Sequence, residues 1–179
     1  MIRSIPNINT SRLALRAMRP EDFDHYAEIA TLPETLRNLS GPAWGRRRAW
    51  EAFLRNAGHW QMTGFGQWAV TELATRRMIG HVGFFYGTEP VGEDFDSFPE
   101  ADWLLMPEAQ GKGLAIEAAN AAHDWHDRVI PGALVIRINL RNTASLRMAD
   151  QLGYRELRRT GEGDDPVILM RRNGPPTTR

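Results

Sequence analysis

The stretch Pro107-Glu108-Ala109-Gln110-Gly111-Lys112-Gly113-Leu114-Ala115-Ile116-Glu117-Ala118-Ala119 sets two glycines around a lysine ahead of a helix-forming run. The first turn of a helix leaves about four backbone N–H groups without internal partners. Ser, Thr, Asp or Asn at the N-cap usually satisfies one of them. Here Gln110, Gly111 and Gly113 hold the candidate cap positions. Glycine lets a bulky anion approach the backbone closely, and the helix N-terminus favours negative charge. Lys112 adds a cation at the same place and is the chain's one lysine beside 21 arginines. The chemistry this predicts is phosphate binding. A glycine-rich turn with no ligand carries the same local signal.

Two phosphate-binding patterns do not match. A Walker A loop needs a hydroxyl residue after Gly-Lys, where this chain has Gly113. The dinucleotide fingerprint needs a third glycine where Ile116 stands. Composition excludes other chemistry. The chain has 179 residues and no cysteine, so disulfides, thiolate metal sites and Cys nucleophiles are ruled out. The 22 basic and 22 acidic residues cancel, which argues against a general nucleic-acid or anionic-membrane binder. The N-terminus "MIRSIPNINTSR" has no apolar core of a signal peptide. Apolar runs of about four residues, such as Ala133-Leu134-Val135-Ile136, fall far short of a membrane span. The expectation is a cytoplasmic protein without nucleic-acid or membrane partners.

The elements that must position the loop follow from periodicity. Residues 12–18 alternate and read as a strand. Residues 20–32 read as a helix, with Pro20 in its first turn and Phe23, Tyr26, Ala27 and Ala30 on one face. "LSGPAWG" (39–45) is a loop, and 46–60 a second helix with Gly58 and Gly64 bracketing its end. Strands at 67–73 and 78–86 form a hairpin around "ATR". An acidic loop spans 87–99, a fourth strand 100–106, and a long helix runs from the glycine stretch to Val129. A strand at 133–140, a helix at 143–151, and strands at 154–159 and 167–171 joined by "TGEGDDP" complete the order. This is a mixed α/β (α+β) pattern, a sheet with helices on both faces. Residues 1–172 read as a single domain and 173–179 as a disordered tail.

Gln110-x-x-Gly113-x-Ala115, after an apolar strand and opening a long helix, resembles the acetyl-CoA pyrophosphate loop of GNAT-type N-acetyltransferases, whose signature is Q/R-x-x-G-x-G/A. "TSRLALRAMRPEDFDHYAEIA" (10–30) resembles the opening strand and helix of the RimJ/RimL-like branch, the ribosomal-protein N-terminal acetyltransferases. "MIGHVGFF" (78–85), "EADWLLMPEAQGKGLAIEA" (100–118) and "RINLRNTASLRMADQLGYRE" (137–156) are similar to its later motifs, in order. The resemblance covers about residues 10–172. It implies the GNAT fold: a central, mostly antiparallel seven-stranded sheet whose fourth and fifth strands are parallel and splayed. It also implies acetyl transfer from acetyl-CoA to a primary amine by direct attack, with no metal, and a homodimer is compatible with it. The acceptor is a peptide or protein α-amine, or a small amine.

That reaction needs a proton acceptor for the amine, a donor to the thioester oxygen, a proton for the leaving thiolate, and alignment. The resemblance implies that the backbone of Leu104, Leu105 and Met106 binds pantetheine and the thioester. It assigns the pyrophosphate to Gln110, Gly111, Lys112, Gly113, Leu114 and Ala115. Asn142 would bond the pantetheine arm or cap the helix it precedes. Ser145 would protonate the thiolate or be an ordinary first-turn serine. Many relatives carry a Tyr acid where this chain has Ala149. Glu100 and Asp102 share a strand face and are candidate bases, Asp102 at a position often glycine in relatives; a solvated strand start is the plainer reading. His81 is a third candidate or a structural histidine. His123 and His126, three apart on the long helix, are expected on its surface although they could chelate a metal. Trp44 and the acidic residues Glu89, Glu93, Asp94 and Asp96 are expected near the acceptor or in solvent. A CoA-binding domain without turnover and an unrelated nucleotide binder are the competing functions.

Overall fold

The computed structural model describes residues 4–36, 44–161 and 166–176. Most of the loop expected at 39–45, the middle of the 160–166 turn and the last three tail residues lie outside that set. The chain separates into two compact units, each discontinuous in sequence. The first comprises Met1–Phe85 and Asp102–Ala121, the second Tyr86–Ala101 and Ala122–Arg179.

In the first unit, β1 (Ile8–Asn9), β2 (Leu13–Arg16), β3 (Gln67–Glu72) and β4 (Met78–Phe85) pair antiparallel in sequence order. The β3–β4 hairpin turns through Arg76, which takes a positive φ of 58°. Pro20–Asp22 forms one 3-10 turn that leads into α1 (Phe23–Thr31). Asp22 fixes that entry: it accepts the Arg19 amide at 2.8 Å and both Arg16 guanidinium nitrogens at 2.7 Å. A one-turn helix, α2 (Pro33–Leu36), follows. The next helix, α3 (Arg46–Thr63), runs through Gly58 and stops at Gly64, left-handed at φ 82°, whose amide bonds to the Trp60 carbonyl. The apolar faces of α1 and α3 pack Tyr26, Ala27, Ala30, Ala49, Ala52 and Phe53 against Ala69 and Met78.

The fifth strand, β5 (Glu100–Leu105), begins in the second unit and continues in the first. In the first unit it runs tight against β4: a Cβ placed on Gly80 would sit 2.1 Å from the Leu104 carbonyl oxygen. In the second unit its start is parallel to β6 (Leu134–Asn139), Glu100 opposite Val135. The remaining strands, β7 (Arg155–Thr160) and β8 (Val167–Arg172), are antiparallel, with β8 on β6. Phe95, Val135 and Leu169 form a local core. Phe95 lies in α4 (Glu93–Asp96), a one-turn helix within the expected acidic loop. The chain thus forms a mixed α/β fold whose sheet order is β1-β2-β3-β4-β5-β6-β8-β7, mostly antiparallel with one parallel pair. Among the described residues it holds eight strands rather than seven because Ile8 and Asn9 pair with Leu15 and Ala14.

A 3-10 turn, Pro107–Ala109, precedes α5 (Leu114–Val129), and α6 (Thr143–Gln151) follows β6. The expectation for His123 and His126 is overturned, since both are buried. His123 Nε2 meets the Tyr154 hydroxyl at 2.8 Å. Three residues on, His126 lies beside Asp127, whose carboxylate holds the buried Arg172 through two 2.7 Å bonds. The two histidines continue the buried face of α5 that Ala119 and Ala122 occupy at three- and four-residue spacing. Among the described residues, no group of three or more His, Cys, Asp or Glu is placed to hold a metal, and no helix is long and apolar enough to cross a membrane.

Candidate functional site

The loop at 110–115 has the geometry its composition predicts. Gly111 and Gly113 are left-handed, at φ 72° and 73°, a region other residues enter only with strain. Space is open where a Gly111 side chain would stand. The first i→i−4 bond of α5 runs from the Glu117 amide to the Gly113 carbonyl at 3.2 Å. The amides of Leu114, Ala115 and Ile116 precede it and have no intrahelical partner. Gln110 turns away from the helix axis: its Nε2 donates to the Leu105 carbonyl at 3.1 Å, which anchors the loop to the end of β5.

A clasp from the N-terminal segment fixes the loop's other side. Glu117 Oε1 accepts from Thr10 Oγ1 (2.6 Å), Ser11 Oγ (3.0 Å) and the Arg12 amide (3.0 Å). Its Oε2 accepts from Arg12 Nε at 2.7 Å and Nη2 at 2.6 Å. The same guanidinium donates through Nη1 to the Lys112 carbonyl at 2.9 Å. Burial alone would raise the Glu117 pKa, but the bonds from Thr10, Arg12 and Ser11 hold it down at about 2. Arg12, paired with Glu117, and the exposed Lys112 stand at the mouth of the loop, and the hollow beside it is lined by Ser11, Arg12, Lys112, Leu73 and Leu114 together with the carboxylate-bearing Glu72. Sequence reading missed the clasp; its members lie about a hundred residues apart.

Along β5, part of the backbone expected to be open is occupied. The Met106 amide donates to the Ile79 carbonyl at 2.8 Å, and the Leu105 carbonyl takes the Gln110 bond. Asp102, on the same strand, accepts at Oδ2 from Gln67 Nε2 (2.9 Å) and faces His81 Nε2 (3.1 Å). Burial would raise its pKa, but the His81 and Gln67 bonds, with Arg55 nearby, hold it below the usual carboxylate value. His81 is buried, and among the described residues its polar contact is with this candidate site carboxylate.

In the second unit, Glu100 is not a solvated strand start. It is buried, and Arg137 engages both its oxygens, Nε–Oε1 at 2.8 Å and Nη2–Oε2 at 3.1 Å. Both oxygens of this carboxylate are thus taken up by one guanidinium. Asn142 caps α6, its Oδ1 accepting the Ser145 amide at 3.1 Å. Ser145 lies in that first helical turn. Ala149 is fully buried and carries no hydroxyl, and the nearby Tyr154 is buried against His123 with its pKa pushed far up by desolvation. Among the acidic residues of 87–99, Asp94 pairs with Arg158 at 3.1 Å and Asp96 accepts the Val91 and Gly92 amides. Glu89 and Glu93 are exposed.

The chain matches the family model described as the acetyltransferase (GNAT) domain over residues 12–155. A Bordetella pertussis protein assigned to the GnaT acetyltransferases is similar in structure, with TM-score 0.83 and 26% identity, covering 94% of this chain and 99% of its own. An acetyltransferase of Agrobacterium tumefaciens str. C58 matches with TM-score 0.79 and 28% identity over 96% of both chains. RimL, a ribosomal L7/L12 alpha-N-protein acetyltransferase in complex with coenzyme A, shares the fold at TM-score 0.76 and 16% identity, covering 94% and 98%.

Proposed function

The chain belongs to the GNAT acetyltransferase family, and from that premise we propose that it transfers the acetyl group of acetyl-CoA to a primary amine by direct attack within a ternary complex. The observation that carries this reading is the uncapped loop: left-handed glycines, free space at Gly111, helix amides ahead of the first internal bond, and Arg12 and Lys112 beside them. Such a cradle suits a pyrophosphate. Gln110, Gly111, Lys112, Gly113, Leu114 and Ala115 are its proposed members.

In the proposed reaction the amine nitrogen attacks the thioester carbonyl carbon. A C–N bond forms, the C–S bond breaks, the amine gives up a proton and the thiolate takes one. Backbone groups of Leu104, Leu105 and Met106 are assigned to pantetheine and the thioester, within the limit that the Met106 amide already serves Ile79. Asn142 offers Nδ2 to the pantetheine arm, its Oδ1 being spent on the cap. Ser145 is the proposed proton source for the thiolate. Of the two carboxylates, Asp102 is the better placed for the amine, because both oxygens of Glu100 are paired with Arg137. The acceptor is a peptide or protein α-amine or a small amine. The location in keeping with this reading is the cytoplasm.

Two measurements test it. Calorimetric titration of acetyl-CoA should give a saturable isotherm that Gly113→Glu abolishes by filling the cradle, while the fold, checked by circular dichroism, persists. Normal binding by that variant would overturn the loop assignment. Release of CoA thiol with a panel of peptides and amines, followed by mass spectrometry of the products, tests transfer. The buried Ala149 favours a second reading, a CoA-binding domain without turnover. Binding without any acetylated product would select it.

A further inference from the structure

Asp102 ends a buried polar chain in the first unit. Asn56 Nδ2 donates to the Tyr26 hydroxyl at 3.1 Å and to Gln67 Oε1 at 2.7 Å. That second bond fixes the Gln67 amide so that its Nε2 points at Asp102 Oδ2, 2.9 Å away. His81 Nε2 reaches the same oxygen at 3.1 Å, its ring stacked on Tyr26 with centroids 5.3 Å apart. Facing a carboxylate, Nε2 carries the hydrogen. The other ring nitrogen, Nδ1, is buried and finds no partner among the described residues. Tyr26, Asn56, Gln67 and His81 are all buried. Asp102 differs: its side chain is 39% exposed.

Both donors converge on Oδ2, and among the described residues Oδ1 accepts from none. With two buried donors on Oδ2, the oxygen left to meet a ligand at this partly exposed side chain is Oδ1. A carboxylate can accept about four hydrogen bonds, and one with two donors on a single oxygen presents an oriented, unspent acceptor to solvent. We infer that Asp102 is the docking carboxylate for the acceptor's ammonium, received at Oδ1, and that His81 and Gln67 are positioning residues that aim it. The substrate class is therefore an amine that arrives protonated; the docked ammonium gives its proton to a solvent water before its nitrogen attacks the thioester carbon. This rests on the proposed transfer to an amine and adds a charge-selective contact to it. Its pKa, held below the usual carboxylate range, keeps Asp102 anionic at neutral pH, which suits holding a cation better than keeping a proton. The titratable and charged groups around it are His81, Tyr26 and Arg55.

The probe is propylammonium, with propanol as the uncharged control, added to the full chain labelled with 13C at its Asp carboxyl carbons. The Asp102 signal is identified by its loss in Asp102→Asn. It should shift saturably with propylammonium and not with propanol. His81→Phe and Gln67→Leu should each weaken that titration about three- to tenfold, since the bond lost is one that aims the carboxylate and not one made to the amine. His81→Gln, which keeps an N–H donor, should recover most of it. Where His81→Phe fails to fold, Gln67→Leu and His81→Gln still decide. In turnover, Asp102→Asn should raise the amine KM more than about tenfold and leave the acetyl-CoA Kd unchanged. Absence of a saturable shift, or unchanged amine affinity in folded His81 and Gln67 variants, would overturn the inference. Turnover with an unaltered amine KM in Asp102→Asn sinks the docking role and leaves acetyl transfer standing. A propylammonium shift in a protein that acetylates nothing does the reverse.

Discussion

Glu117 is the residue on which the loop geometry most depends. Five donors from three consecutive residues reach its two oxygens, and Arg12 continues to the Lys112 carbonyl. Glu117→Gln keeps the shape but removes the charge and turns one acceptor into a donor facing Arg12. Discounted because the Arg12 side chain is half exposed, this should cost on the order of 1–2 kcal/mol in urea unfolding and weaken acetyl-CoA binding through the loosened loop. The pH sign is that of a depressed carboxylate. Its folded pKa, about 2, lies below the usual 4.5, so its stabilisation is complete above about pH 4.5 and fades as pH falls toward 2. A variant with wild-type acid stability would show that the clasp contributes nothing. At this scale the sequence was legible where chemistry is local. Gly111, Lys112 and Gly113 announce a phosphate loop because neighbouring residues make it. The clasp and the Gln67–Asp102–His81 contact join residues 105, 35 and 21 positions apart, and no spacing rule encodes that.

The long periodic elements were legible for a related reason. Faces at three- and four-residue spacing fix α1, α3, α5 and α6, and alternation fixes the strands, so each is found within a few residues of its expected place. The one-turn helices α2 and α4 are too short to show a period. The latter exists because Asp96 accepts the Val91 and Gly92 amides and Phe95 has a core to enter. Burial of the α5 histidines is not legible because imidazole is polar by type, while here His123 has the Tyr154 hydroxyl and His126 has Asp127 beside it. Two predictions belong to elements. Asn142→Ala should remove the α6 cap and cost about 0.5–2 kcal/mol. Asn142→Asp keeps the accepting oxygen and should restore stability, yet it lacks the Nδ2 donor and should lower acetyl-CoA affinity several-fold. Equal affinity of Asp and Asn would confine residue 142 to capping. Gly80→Ala would push a methyl into the Leu104 carbonyl of the neighbouring strand. Forced separation of β4 from β5 should cost about 1–3 kcal/mol, read as a lowered melting temperature.

The division into two compact units crosses the chain three times: once in the exposed stretch after β4, at Phe85, once within β5 and once within α5. Independent domains are joined at exposed segments that few contacts cross. Here only the crossing after Phe85 is of that kind; the other two cut a strand and a helix that each belong to both units, so residues 1–172 should unfold in one transition. Acid should lower its midpoint in two steps. His126 comes first. Burial holds its pKa below the usual 6.5, the nearby Arg172 adds to this, and Asp127 opposes it. The unfolded chain then binds a proton that the folded chain refuses, so stability declines as pH drops below about 6.5 and levels once the folded His126 is itself protonated. The second step is that of the carboxylates. Asp127 is held low chiefly by its bonds to Arg172, while Asp22 is held low by Arg16 and the Arg19 amide against the pull of burial. Both stabilise the fold above the usual carboxylate value of 3.8 and lose that contribution as pH falls below it. Urea unfolding at pH 8, 6, 5 and 3 should therefore give single transitions with midpoints that fall between 8 and 5 and again between 5 and 3. His126→Leu should flatten the first fall and leave the second. Two resolved transitions at any of these pH values would mean that the shared strand and helix do not couple the units, and a flat midpoint from pH 8 to 5 would mean that the folded chain admits the proton on His126.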